Sequence, residues 1–273
     1  MASGVTVPAV RSRKVAAGAA PLVMVTAYDA PGARLVDDAG VDVILVGDSV
    51  AMVVLGHRDT LQVTVADLAH HTAAVARSSP RALVVADMPW LSYHRSPAET
   101  VGNAGVLVRA GAAAVKLEGG RRRLPMVEAL VAAEVPVMGH LGLTPQSVHV
   151  MGGFKVQGRK ADAATALVDD ALALVDAGVF AIVVEGVPAE LGARVTQAVP
   201  VPTIGIGAGP GCDGQVLVFH DLLGLDDRPS PRFVRRYASL KQEGTRAVAA
   251  FAADVRSGDF PSPEECYDNG GEG

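Results

Sequence analysis

Eight short apolar runs, each trailed by residues at helical spacing, constrain the fold of this chain more than any other feature. They are Leu22–Ala27, Val41–Gly47, Ala82–Ala86, Ala114–Leu117, Val135–Gly139, Ala181–Val184, Thr203–Ile206 and Gln215–Phe219. Near-continuous apolar strands separated by helices are the pattern of a parallel sheet covered on both faces. Eight such units are the number that closes a (β/α)8 TIM barrel, and 273 residues suit one, since about 250 is usual for that fold. An open doubly wound sheet is the alternative. The expected organisation is one barrel domain over 1–273. It comprises an N-terminal arm (1–20), a barrel core (21–226), C-terminal helices (227–260) and a tail (261–273), loose from Glu264.

The helical stretches carry end signals. Ser96-Pro97-Ala98-Glu99 reads as an N-cap, a first-turn proline and a capping-box glutamate, and Gly111 comes after the helix as a stop. Asp162 to Gly178 repeats the pattern. Beyond Pro231, the residues Phe233, Tyr237, Leu240, Val248 and Phe251 recur at helical spacing. They predict one or two terminal helices that pack on the barrel or on a neighbouring subunit.

Composition narrows the functional class. With 49% apolar and 19% charged residues the chain is globular rather than disordered. A net charge of −5 recommends neither nucleic acid nor an anionic membrane as partner. Cys212 and Cys266 have no metal or disulfide spacing. No apolar leader comes after Arg11, Arg13 and Lys14. The longest uncharged stretch, Val135–Phe154, contains His140, Gln146, His149 and two prolines and would make a poor membrane helix. A cytoplasmic protein acting on small molecules is expected.

In a parallel barrel the active site forms at the carboxyl ends of the strands, so the residues at the end of each apolar run are the informative ones. The first run leads into Tyr28-Asp29, the second into Asp48-Ser49 and the third into Asp87. The fourth leads into Lys116-Leu117-Glu118, the fifth into His140, the sixth into Glu185 and the eighth into His220-Asp221. Asp48, Asp87 and Glu118 would converge at the mouth, where carboxylates repel unless a cation or proton lies between them. All-oxygen ligands favour Mg2+, or Mn2+, over zinc. The plainer reading is that these acids cap helices. Lys116 and Glu118 lie two apart on one strand and so point to the same, interior face. Either they pair with each other, or Lys116 neutralises an anionic substrate while Glu118 serves the metal. His140 fits plain hydrogen bonding as well as acid–base work, and the His70-His71 pair reads as helix surface or packing. The run Gly205 to Gly211 either cradles a phosphate with backbone amides or allows a tight turn and close backbone approach.

Longer motifs add a resemblance. They are Val25 to Asp29, Val46-Gly47-Asp48-Ser49, Val115 to Gly120, Gly139 to Val148, Gly152 to Arg159 and Gly205 to Val218. In this order they resemble the ketopantoate hydroxymethyltransferase family over nearly the whole chain. The resemblance implies a barrel of the phosphoenolpyruvate/pyruvate-utilising type, a Mg2+ site and a homo-oligomer, often a decamer. It also implies transfer of a one-carbon unit from 5,10-methylenetetrahydrofolate to 3-methyl-2-oxobutanoate, giving 2-dehydropantoate on the route to pantothenate and coenzyme A. By motif position it assigns Asp48, Asp87 and Glu118 to the metal, Asp48, Ser49, Asp87 and Lys116 to the substrate, and Glu185 to proton removal. His140 stands as a possible accessory. The chain departs from the family pattern at Val50-Ala51, Gly56 to Gln62 and Trp90-Leu91, which bears on the identity of the 2-oxo acid. A Mg2+-dependent C–C lyase or mutase on the same barrel is the alternative activity, and a non-catalytic metabolite-binding protein is a weaker one.

Overall fold

The computed structural model describes residues 4–227 and 231–267. Each of the eight apolar runs overlaps a strand: β1 (Leu22–Thr26), β2 (Val43–Val46), β3 (Leu83–Asp87), β4 (Ala114–Glu118), β5 (Val137–Gly142), β6 (Ala181–Glu185), β7 (Thr203–Ile206) and β8 (Gly214–Leu217). Each pairs in parallel with the next, and β8 pairs with β1, so the sheet closes. The open sheet is thereby excluded.

The helices are α1 (Val7–Arg11), α2 (Ala30–Asp38), α3 (Val50–Val53), α4 (Val65–Ala76), α5 (Pro97–Arg109), α6 (Leu124–Ala132), α7 (Val148–Met151), α8 (Ala161–Asp176), α9 (Ala189–Ala198), α10 (Phe219–Leu223) and α11 (Leu240–Ser257). Among the described residues no helix is long and apolar enough to cross a membrane. Ser96 caps α5 by accepting from Glu99 N–H (3.2 Å). The expected capping box stays half-formed, because the Glu99 carboxylate pairs with Arg95 (3.1 Å).

Two compact units divide between Phe219 and His220. The first unit holds the barrel. In the second, α11 is one helix, and Phe233 and Tyr237 precede it in non-helical chain. Their four-residue spacing imitated a helix, but Tyr237 N–H donates to Leu222 O (2.8 Å), a bond outside any helical ladder. Residues 268–273 of the expected loose tail lie outside the described residues.

The β7–β8 connection also departs from expectation, since residues 207–213 cross without a helix. This is the glycine-rich run. It lies along α9 so closely that a Cβ on Gly209, at φ +79°, would stand 2.4 Å from Ala189 Cβ. Close approach of the crossover to α9 therefore explains this glycine, as the second of the two sequence readings allowed.

Alternate residues of each strand face the barrel interior. Leu22, Met24, Val43, Leu45, Leu83, Val85, Ala114, Met138, Ala181, Val183, Ile204 and Val216 form one buried apolar cluster there. Val10 of the arm is fully buried in the same cluster, so the arm closes the lower end of the interior. Asp213 pins it. Its carboxylate accepts from Lys14 Nζ (2.7 Å), Val15 N–H (2.9 Å) and Thr203 N–H (2.9 Å), joining the arm to β7 and to the end of the crossover.

Removing one member of a buried, multiply bonded ion pair costs about 3–5 kcal/mol. Asp213→Ala is expected to lose about that much in denaturant unfolding, because Lys14 and the N–H groups of Val15 and Thr203 depend on it. A loss below about 1 kcal/mol would contradict its role as the anchor of the arm.

Candidate active site

The period of two that builds the apolar interior also builds the layer above it. Continuing each interior row toward the carboxyl end gives Leu83-Val85-Asp87, Ala114-Lys116-Glu118, Met138-His140 and Ala181-Val183-Glu185. Strand register then sets Asp87 beside Lys116 and Glu118 beside His140. Asp48, Asp87, Lys116, Glu118 and His140 are all at most 5% exposed, while the Glu185 side chain is 16% exposed. None of Asp48, Asp87 and Glu118 caps a helix; Asp29 does, accepting from Gly32 N–H at the start of α2 (2.7 Å).

Lys116 Nζ lies 2.9 Å from Asp87 Oδ1. The buried pair thus exists, but between neighbouring strands and not with Glu118. Asp87 Oδ2 accepts from Asp48 N–H (3.0 Å), which ties the exit of β2 to β3. His140 Nε2 faces Glu185 Oε2 at 3.1 Å, and Nδ1 faces Glu118 Oε1 at 3.4 Å. Lys116 Nζ also approaches Nδ1, at 3.3 Å. A single ring nitrogen cannot donate to Glu118 and accept from Lys116 at once. Burial and Lys116 oppose a charge on the ring, yet the contacts with Glu118 and Glu185 prevail and lift its pKa to about 9. The doubly protonated ring therefore serves as the cationic partner of both carboxylates, and the Lys116 contact is repulsive.

Glu185 owes its place to Gly142. A Cβ there, at φ +94°, would stand 2.1 Å from Glu185 O, which accepts from the adjacent Leu143 N–H (2.8 Å). Ser49, predicted as a substrate contact, exchanges a 2.8 Å hydrogen bond with Tyr28 OH. His71, read as packing, has Nδ1 2.7 Å from Tyr28 O.

Sequence reasoning missed Gln146 and Tyr93. Gln146 lies inside one of the family-like motifs but carried no assigned role, and Tyr93 comes just after the divergent Trp90-Leu91. Both are buried against the acids. Gln146 N–H donates to Glu118 Oε2 (3.0 Å), and its Nε2 donates to Asp48 Oδ2 (2.8 Å). Trp90 and Leu91 are exposed, so the divergence at those two positions leaves the acid cluster intact.

Four carboxyl groups here face two cationic ones. Burial, and then the charges of Asp87 and Glu118, hold the Asp48 carboxyl well above the ordinary carboxylate range. Burial also opposes the Lys116 ammonium, but Asp87, Glu118 and Asp48 outweigh it and bind its proton more tightly than usual. Among the described residues no three His, Cys, Asp or Glu side chains stand together as a ready metal site. Gln146 links two of the three acids expected at the metal, donating to both Glu118 and Asp48. The donor chemistry nevertheless fits a hard divalent ion: the groups are oxygen donors, and negative charge dominates around Asp48.

Residues 5–263 match the family model for ketopantoate hydroxymethyltransferase. The chain is 61% identical over 249 residues to a 3-methyl-2-oxobutanoate hydroxymethyltransferase of Methylobacterium sp. (strain 4-46), covering 90% of this chain and 85% of that protein. It is 54% identical over 265 residues to one from Syntrophobacter fumaroxidans, covering 97% and 93%. Among solved structures, it resembles 2,3-dimethylmalate lyase of the PEP mutase/isocitrate lyase superfamily, with TM-score 0.61, 18% identity and coverage of 95% and 93%. A phosphonopyruvate hydrolase complex with oxalate and Mg2+ gives TM-score 0.61, 14% identity and coverage of 95% and 92%. These structural likenesses show the fold, a closed (β/α)8 barrel.

With divalent ions removed, Lys116→Met should destabilise the protein by about 3–5 kcal/mol, since it strands Asp87 in the interior. Adding Asp87→Asn should recover part of that loss, because the two sites are directly coupled. Denaturant unfolding of both variants checks this; strictly additive losses would contradict the pairing.

Proposed function

Because the chain belongs to the ketopantoate hydroxymethyltransferase family, as the match over residues 5–263 shows, we propose that it transfers a hydroxymethyl group from 5,10-methylenetetrahydrofolate to 3-methyl-2-oxobutanoate, with Mg2+ or Mn2+, giving 2-dehydropantoate. The observation that carries the reading is a division within one polar layer. Asp48, Asp87 and Glu118 are buried and hydrogen-bonded, whereas Glu185 alone among the four acids keeps an accessible edge.

Asp48, Asp87 and Glu118 would hold the divalent ion, Glu118 directly or through water. When bound, the ion supplies positive charge that polarises the ketone of a 2-oxo acid. Lys116 provides fixed positive charge beside Asp87, and Ser49 a hydroxyl steadied by Tyr28; both suit the substrate carboxylate. Glu185 is the base for the C3 proton. His140 holds its Oε2 and leaves Oε1 to face substrate. The carbon freed of its proton then forms a C–C bond to the methylene carbon of the donor. Both C–N bonds that hold this methylene carbon to N5 and N10 of the donor break, water supplies the hydroxyl oxygen, and tetrahydrofolate leaves with the C3 proton and one proton of that water on its two nitrogens. The same reading has the chain assembled with copies of itself, as a decamer. The exposed Val248, Phe251 and Val255 of α11 support such association.

Purified protein supplied with both substrates and Mg2+ is expected to form 2-dehydropantoate, monitored by mass spectrometry. Chelation should stop turnover and added Mg2+ restore it, and Asp48→Ala should cut it by more than about a hundredfold, beyond the usual effect of an outer partner. Cleavage of a 2-oxo acid without the folate donor would favour a lyase. Turnover indifferent to chelation would remove the metal from the mechanism.

A further inference from the structure

We propose that Gln146 is a positioning residue of the transfer reaction, clamping the carboxyl groups of Asp48 and Glu118 in a fixed relation, with Tyr93 setting the direction of the clamp. The proposal deepens the hydroxymethyl-transfer reading and rests on it for the roles of the two acids.

Gln146 uses every polar function of its side chain at this point. Its backbone N–H donates to Glu118 Oε2 (3.0 Å), and Nε2 donates to Asp48 Oδ2 (2.8 Å) and to Met88 O (3.0 Å). Its Oε1 accepts from Tyr93 OH (2.6 Å). The orientation of a primary amide is set by its partners. Reversed, the Gln146 carbonyl oxygen would face a carboxylate and a backbone carbonyl, all of them acceptors. Tyr93 enforces the choice. Its hydroxyl accepts from Glu118 N–H (3.3 Å), so its own hydrogen is available to Gln146. The bonds close a ring: Glu118 N–H to Tyr93, Tyr93 to Gln146, and Gln146 N–H back to the Glu118 carboxylate.

The ring and its bond to Asp48 join the exit of β2, the end of β4, the loop after β3 and the turn at Pro145–Ser147. Gln146 and Tyr93 are 6% and 1% exposed, so water does not substitute for these bonds. A neutral double donor is suited to this position. It reduces repulsion between two acids without adding a charge that would compete with a cation or with an anionic substrate. It also occupies one oxygen of each carboxyl group and so fixes how the other is presented. A glutamine that merely linked loops would require no donor aimed at Asp48.

The test uses the full chain and three variants: Gln146→Leu, Gln146→Glu and Tyr93→Phe. Calorimetric titration with Mg2+ and steady-state kinetics are read beside thermal unfolding. Gln146→Leu should weaken Mg2+ binding by about 10–100-fold, the usual cost of losing an outer partner. Its kcat should fall comparably, with KM for the one-carbon donor unchanged within about twofold. Gln146→Glu, a further acid against two, should lose more, and Tyr93→Phe should shift both readouts less, in the same direction. A folded Gln146→Leu with wild-type Mg2+ affinity and kcat overturns the proposal. If the wild type turns over without binding Mg2+, the metal reading fails while the clamp is still decided by kcat against KM. If Gln146→Leu does not fold, Tyr93→Phe decides, and an unchanged kcat overturns the clamp.

Discussion

Like charge confined at one end of a closed barrel is the constraint on which the rest of this structure depends. Strand register forces Asp87, Lys116, Glu118, His140 and Glu185 to point inward, and Asp48 enters above β2. Isolated carboxylates in such a place would be too costly to keep ionised. Each is therefore met by a partner of suitable kind: Lys116 for Asp87, cationic His140 for Glu118 and Glu185, and amide donors for Asp48 and Glu118. The compensation is incomplete, as the raised Asp48 shows. In the proposed reading, that residual negative charge is what suits the layer to a divalent ion.

The opposite end of the barrel solves a different problem. Its interior is apolar, and the arm closes it by burying Val10 among residues of the strands. Asp213 gathers donors from the arm and from β7, and the glycine-bearing crossover runs flat along α9. A site built on strand ends and supported by locked neighbours is more exactly positioned than one carried by loops alone.

Local pattern made much of this visible in the sequence. Apolar runs of strand length overlap the eight strands, and reading the polar residues at the end of each run singled out Asp48, Asp87, Lys116, Glu118, His140 and Glu185. Periodicity of two is written along a single segment, so it is legible there. Pairing between segments is not. That Lys116 meets Asp87 rather than Glu118 depends on the β3–β4 register, to which no residue of either strand testifies alone. Gln146 and Tyr93 act from loops, where hydrogen-bond partners come from other elements. The helix-free crossover at 207–213 was masked by its glycines, which suit a phosphate loop and a close backbone approach equally. Phe233 and Tyr237 imitate a helix through spacing alone, without a backbone ladder to support it.

In the proposed reaction most polar groups of the layer hold charge and one acid, Glu185, moves a proton; proton exchange at C3 of 3-methyl-2-oxobutanoate tests that separation most directly. The exchange is monitored by NMR in deuterated water with Mg2+ present and the folate donor withheld. Wild-type protein is expected to exchange the proton, and Glu185→Gln to slow exchange by about 10²–10⁴, the range for loss of a general base, while still binding the 2-oxo acid. Exchange by Glu185→Gln at the wild-type rate would contradict this division of roles and move the base to another group in the layer.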